Sequence, residues 1–149
     1  TKNLLIKEKR GLYRDSPIGV FDNTGLVYMA VEAEKLDIEM DIFWNWLGGV
    51  LNTKMSIVEV FFYASLIHLR LAHIHPFFDG NGRMARILEK WFLASKLGDN
   101  LWQLNLEQNY MENRKYYYKN LNLGKDYYEL DYKKANKFLN ISIDFVLKT

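Results

Sequence analysis

The chain has 149 residues, 49% of them hydrophobic, and reads as one domain over 1–149 with a real core. A net charge of +2 is too small to imply a nucleic-acid partner; the lack of cysteine excludes a disulfide framework, a thiolate zinc site and a cysteine nucleophile, and favours a reducing, cytoplasmic setting. No apolar run of membrane-spanning length and no signal-peptide pattern is read, so no membrane is expected, and the start at Thr1 in place of a methionine raises the expectation of a preceding segment.

Residues 18–29 read as a β-hairpin. Two short apolar runs, Ile18 to Phe21 and Leu26 to Met29, flank Asp22-Asn23-Thr24-Gly25, which is strong turn chemistry. From Ala30 to Leu47 apolar residues recur at helical spacing, and Gly48-Gly49 is expected to end that helix. Ser56-Ile57-Val58-Glu59 is a capping-box signature opening a second helix. Pro76 disfavours helical angles at His75, so this helix should stop near His73 or Ile74 and leave His75 in a loop. A third helix is expected from Arg83 to Gly98, and a Tyr-rich fourth from an N-cap at Asn105 to about Leu121. The last is expected over Tyr127–Leu147, with Tyr132, Ala135, Phe138, Leu139, Ile143 and Val146 inward. The sum is an all-α bundle with one small β-hairpin.

The residues with most chemistry lie together, in His75-Pro76-Phe77-Phe78-Asp79-Gly80-Asn81-Gly82-Arg83-Met84-Ala85-Arg86. These are the parts needed to hold a nucleoside triphosphate and deprotonate a hydroxyl beside it. Gly80-Asn81-Gly82 can turn successive N–H groups inward as an anion nest. The helix behind it would aim its positive end at a phosphate. Arg83 and Arg86, three apart, share a helical face and can clamp further phosphates. Asp79 stands where a carboxylate would hold Mg²⁺ against them. His75 is the one acid/base group nearby and is expected to titrate near neutral pH. His68 and His73, on an apolar helix, read as structural, and the spacing of the histidines fits no zinc pattern. Tyrosines and lysines interleave between 110 and 134, but the acidic residues among them make a solvated helical face the better reading than a nucleic-acid surface.

Residues 75–86 resemble the signature of Fic-domain proteins, His-x-Phe-x-(Asp/Glu)-Gly-Asn-Gly-Arg-x-x-Arg, at every fixed position. Gly11-Leu12-Tyr13-Arg14 and the 18–29 hairpin are similar to that family's entry segment and target-positioning flap. Arg114, Tyr117, Tyr118 and Leu121 are similar to its Arg-x-x-Tyr-Tyr-x-x-Leu helix. The resemblance implies a Fic-type helical bundle and an enzyme moving AMP from ATP to a Ser, Thr or Tyr hydroxyl of a target protein. It implies His75 as general base and Asp79 as the Mg²⁺ ligand. Gly80, Asn81 and Gly82 would bind the α- and β-phosphates, Arg83 and Arg86 the β- and γ-phosphates, and Tyr117 would belong to the nucleotide site. Phe77 would anchor the loop in the core and so fix His75. The target would lie along the 18–29 flap. A kinase-like branch carries Lys at the position of Gly82, so Gly82 favours AMP transfer; transfer of phosphocholine, another phosphate-containing group, stays open. So does a nucleotide-binding regulatory module without turnover. No Ser or Thr is followed four residues on by Glu, so the family's inhibitory (Ser/Thr)-x-x-x-Glu helix is not expected within this chain. Any inhibitor would be a separate protein or a missing segment.

Overall fold

The computed structural model describes residues 7–147, so both ends of the 1–149 domain lie outside the described residues. The hairpin forms as β1 (Gly19–Asp22) and β2 (Gly25–Met29), antiparallel, with Gly19 opposite Met29 and a register shift between Val20 and Phe21. Asp22 Oδ1 accepts from the Thr24 amide at 2.7 Å, and Gly25 takes φ 122°, an angle that favours glycine. The hairpin does not stand alone. The Met29 amide donates to Lys125 O at 2.9 Å, and the buried Tyr28 hydroxyl donates to His73 O at 2.7 Å. That second bond ties the flap to the helix end just ahead of His75.

Helix α1 (Leu36–Asn52) follows a 3₁₀ turn at Ala33–Lys35. It starts later than the sequence reading and runs straight through Gly48-Gly49. Leu47 and Val50 are buried on either side of the glycine pair, and that packing outweighs the local cost of glycine. The end comes where side chains take over the free carbonyls. Asn52 Nδ2 donates to Gly48 O, Thr53 Oγ1 to Gly49 O, and Lys96 Nζ to Leu51 O and Thr53 O.

Helix α2 (Ile57–Ile74) opens on the expected capping box, with Ser56 and Glu59 bonded reciprocally. Its length and composition would suffice to cross a membrane, which corrects the sequence reading that no such run exists. Here 61% of that stretch is buried, as the central helix of the core. It packs on α3 (Asn81–Leu97), with Ile67, Leu69, Phe92 and Leu93 fully buried.

The expected fourth helix is two, α4 (Leu106–Glu112) and α5 (Arg114–Leu121). Asn113 breaks it: its Nδ2 donates back to Asn109 O at 3.0 Å and to Asn109 Oδ1 at 2.9 Å, and its backbone leaves helical angles. Asn105 makes no side-chain cap. The expected last helix is broken as well, into 3₁₀ turns at Tyr127–Glu129 and Tyr132–Lys134, then α6 (Asn136–Leu139) and α7 (Ile141–Val146). Asp126 accepts from the amides of Tyr128 and Glu129, and Asp131 from that of Lys133, so local side-chain turns replace helix start-up. Ala135, Phe138 and Leu139 are buried as expected; Tyr132 is 40% exposed, with its hydroxyl 3.1 Å from His73 Nδ1.

One turn in this region is tight. A methyl at Gly124 would stand 2.5 Å from Glu129 O and 2.7 Å from its carbonyl carbon, both backbone atoms that cannot swing aside. Gly124→Ala is therefore expected to destabilise the domain by about 1–3 kcal/mol, the usual cost of overpacking. Thermal unfolding of the variant checks this, and an unchanged midpoint would show that the turn yields freely.

Candidate active site

His75 sits at the junction of α2 and the motif loop. Pro76 denies it right-handed helical angles, and it takes φ 53°, ψ 56°, the one positive φ outside glycine among the described residues. Such a conformation persists only where neighbours enforce it. Arg14 is the enforcer. Buried beneath the loop, it donates from Nε to His75 O at 2.8 Å, from Nη1 to Ser16 O at 3.0 Å, and from Nη2 to Val31 O. Its own amide donates to Pro76 O at 2.9 Å.

The His75 ring is held in turn by its own helix. Nδ1 lies 3.0 Å from Ala72 O. A carbonyl only accepts, so Nδ1 carries the proton and Nε2 keeps its lone pair. Burial lowers the imidazole pKa, and the Arg14 charge adds to that; the Ala72 hydrogen bond and Asp79 oppose it. The direction favours the neutral imidazole over the charged one.

Helix α3 begins at Asn81, two residues before the expected Arg83. Gly80 alone supplies a left-handed angle, φ 87°, and its carbonyl accepts from Met84 N at 2.8 Å to close the first turn. Asn81 and Gly82 are thus first-turn residues, whose amides have no partner within the helix. The Asn81 side chain is not offered to a phosphate. Its Oδ1 accepts from Phe77 N at 2.8 Å and its Nδ2 donates to Phe77 O at 2.7 Å, so this buried amide clasps the loop. Phe77 itself is only half-buried, with its ring 5.8 Å from that of Tyr13, not in the core.

Asp79 and Arg83 were expected on different partners, metal and phosphate. They pair with each other at 2.7 Å, one helical turn apart on the surface. Arg86 lies further in, half-buried, and a methyl on Gly82 would stand 3.4 Å from its Nη1. A cleft of about 330 Å³ borders this corner, lined by Arg10, Gly11, Phe77, Asp79, Gly80 and Arg83 among others. His75, Arg86 and Tyr117 do not line it.

Tyr117 is buried, and its hydroxyl lies 2.9 Å from His68 Nε2, so it faces the core and not a nucleotide base. Burial pushes its phenol pKa up, against the Arg86 charge and a side-chain hydrogen bond with Arg86. His68 Nδ1 is 2.7 Å from Glu89 Oε2, and both side chains are fully buried. Tyr110 donates to Glu89 at 2.9 Å, and Ser142 donates to it as well. Burial acts first and would raise the Glu89 carboxyl, but the nearby His68, through its electrostatic effect and then its hydrogen bond, with the bonds from Ser142 and Tyr110, holds it below the usual carboxylate range. His68 is structural, as expected. So is His73, buried against Leu121 O and lowered to about 4 by burial.

In the sequence, Arg14 stands out only through the family resemblance, and Glu89 does not stand out at all. A carboxylate among apolar neighbours on α3, four residues from buried Ala85 and from buried Leu93, was the available signal for Glu89. Nothing local marks Arg14.

A histidine with positive φ at the end of α2, followed within the same motif by a glycine-started helix with arginines in its first turns, is the arrangement that the Fic-like signature of residues 75–86 implies. A family model described as Fic/DOC family matches residues 1–93, and the chain belongs to that family. Protein adenylyltransferase Fic of Nematostella vectensis is 37% identical over 78 residues, which is 52% of this chain and 16% of that protein. The protein of the same name from Drosophila ananassae is 45% identical over 53 residues, 36% of this chain and 10% of its own length. The chain thus spans under a fifth of the curated relatives it matches. Among solved structures, a Fic family protein from Desulfovibrio desulfuricans G20 superposes with TM-score 0.69 at 25% identity, over 99% of this chain and 43% of that one. A Fic domain containing signaling protein from Bacteroides thetaiotaomicron VPI-5482 gives 0.65 at 22% identity, over 93% of this chain and 52% of that one. This second likeness speaks for the fold.

Proposed function

We propose that the chain is a protein adenylyltransferase, moving AMP from ATP to a hydroxyl of a target protein and releasing pyrophosphate. The observation that carries this reading is His75, held at Nδ1 by Ala72 O in the loop that leads to a glycine-started helix, with no hydrogen bond to Nε2 among the described residues. The target oxygen attacks the α-phosphorus and its proton passes to His75 Nε2. The bond from the α-phosphorus to the bridging oxygen breaks, and pyrophosphate leaves with that electron pair. The first-turn amides of α3 meet the charge that develops on the phosphate, and Arg83 and Arg86 hold the outer phosphates.

Among the described residues no three metal-ligating side chains stand together. One carboxylate, Asp79, suits Mg²⁺, which commonly keeps its waters and takes the rest of its ligands from substrate phosphates. When bound, the ion would neutralise phosphate charge. Asp79 would then have to leave Arg83, which frees that guanidinium for phosphate.

MgATP binding tests the assignments directly. Asp79→Ala and Arg86→Ala are each expected to weaken MgATP in calorimetric titration more than His75→Ala does. Unchanged affinity in both would remove Asp79 and Arg86 from the nucleotide site.

The target is proposed to lie along the hairpin. The sheet has two strands among the described residues, and β1 has β2 on one side alone. An open edge can align an extended segment through main-chain hydrogen bonds. Val20→Pro or Val27→Pro removes a strand donor. Target modification should fall sharply while ATP affinity and thermal stability hold. Folded variants that modify the target at the parental rate would reduce the hairpin to a cover.

A further inference from the structure

A second cleft, of about 400 Å³, opens where α2 meets the segment after α5, and it is lined by Leu66, Arg70, Tyr127, Leu130 and Tyr132. It shares no residue with the cleft beside Asp79. Arg70 is the one ionised side chain on this lining. It is half-buried, and its Cζ stands over the Trp46 ring, 4.2 Å from the centroid and 5.8 Å from that of Phe43. Those contacts engage the cation through ring faces and leave its N–H groups for other partners. Among the described residues no hydrogen-bond acceptor and no carboxylate meets those N–H groups. The neighbouring hydroxyls are already committed. Tyr127 donates its proton to Glu39 Oε2 at 2.7 Å. His73 Nε2, 2.7 Å from Leu121 O, must donate there, so Nδ1 of the neutral ring accepts from the Tyr132 hydroxyl 3.1 Å away. The guanidinium is left as the one side-chain donor on the lining with its capacity unmet, between two leucines and two phenol rings.

We infer that this cleft is a second binding site, for a small monocarboxylate with an apolar body, anchored by Arg70. A carboxylate matches the planar fork of a guanidinium with two parallel hydrogen bonds. The leucines and phenol rings suit hydrocarbon, and the volume is that of a small-ligand pocket. A phosphate fits less well. One cation would have to serve it alone, and the Glu39 carboxylate, one hydrogen bond behind Tyr127, opposes a doubly charged ligand more than a singly charged one. The site is separate from nucleotide transfer and does not depend on that reading.

Phenylacetate, 4-methylpentanoate and benzoate are the probes, each set against its uncharged amide in calorimetric titration of the full chain. At least one acid should bind, and its amide should bind at least about tenfold more weakly, the effect of losing a charged hydrogen-bond partner. Nitrogen-15 spectra locate the acid: the Arg70 Nε–H and Trp46 indole signals should move, and that of Arg83, in the other cleft, should not. Arg70→Gln should weaken the acid by a similar factor. Arg70→Lys keeps the charge without the fork and should fall between the two. Binding of none of the three acids, equal binding of acid and amide, full affinity in Arg70→Gln, or shifts that leave the Arg70 and Trp46 signals in place would each overturn the site. Inorganic phosphate that moves the same signals and binds tighter than every acid would overturn the ligand class. Should the Arg70 variants fail to fold, the acid–amide comparison and the shifts on the parental chain decide alone.

Discussion

His75→Ala is expected to lower AMP transfer by on the order of 10²- to 10⁴-fold, the range for loss of a general base. MgATP affinity should hold, because the ring bonds to Ala72 O of its own helix and does not line the cleft beside Asp79. The unfavourable φ at His75 is imposed by Arg14 and Pro76 through the backbone, so the alanine variant keeps the same loop constraints. The parental chain should also show a matching pH dependence in AMP transfer. Only neutral His75 can take a proton. Its pKa is lowered from the ordinary 6.5 by burial and Arg14, so activity should persist through neutral pH and fall only as pH drops below 6.5. A rate profile whose acid limb lies above 6.5, or an alanine variant with near-parental turnover, would take His75 out of the proton transfer.

The largest stability effect is expected at Glu89. Glu89→Ala should cost about 3–5 kcal/mol, because it leaves several buried hydrogen-bond partners unsatisfied at about 1–3 kcal/mol each. The carboxylate is 0% exposed and accepts from His68, Tyr110 and Ser142. Deleting it strands three polar groups where water does not reach. Urea unfolding measures the change, and a loss under about 1 kcal/mol would mean that water or a rearranged Tyr110 replaces the carboxylate. Ser142→Ala removes one donor of several and should cost far less.

What could be read from the sequence follows from what is local. The capping box at Ser56, the stop imposed by Pro76 and the Asp-Asn-Thr-Gly turn are decided within a few residues, and each stands where expected. The motif also brings Phe77, Asp79, Gly80 and Arg83 to one cleft, because consecutive residues cannot stray far. Reading fails where side chains compete with the backbone or where distant elements decide. Asn113, Asp126 and Asp131 break two expected helices by bonding nearby backbone. Gly48-Gly49 stays helical because tertiary burial overrides a weak local preference. Tyr117 carried a family resemblance, and only the packing of α5 on α2 shows it turned inward to His68. The Arg14 bond to His75 spans 61 residues, and no periodicity announces it.

One measurement decides most about the proposed activity. The parental chain and His75→Ala are each incubated with a cell lysate and Mg²⁺, using ATP labelled at either the α- or the γ-phosphate. The expected result is protein-bound label from α-labelled ATP only, present with the parental chain and lost with His75→Ala. Protein-bound γ-label, or α-label that persists without His75, would contradict transfer of AMP by this histidine.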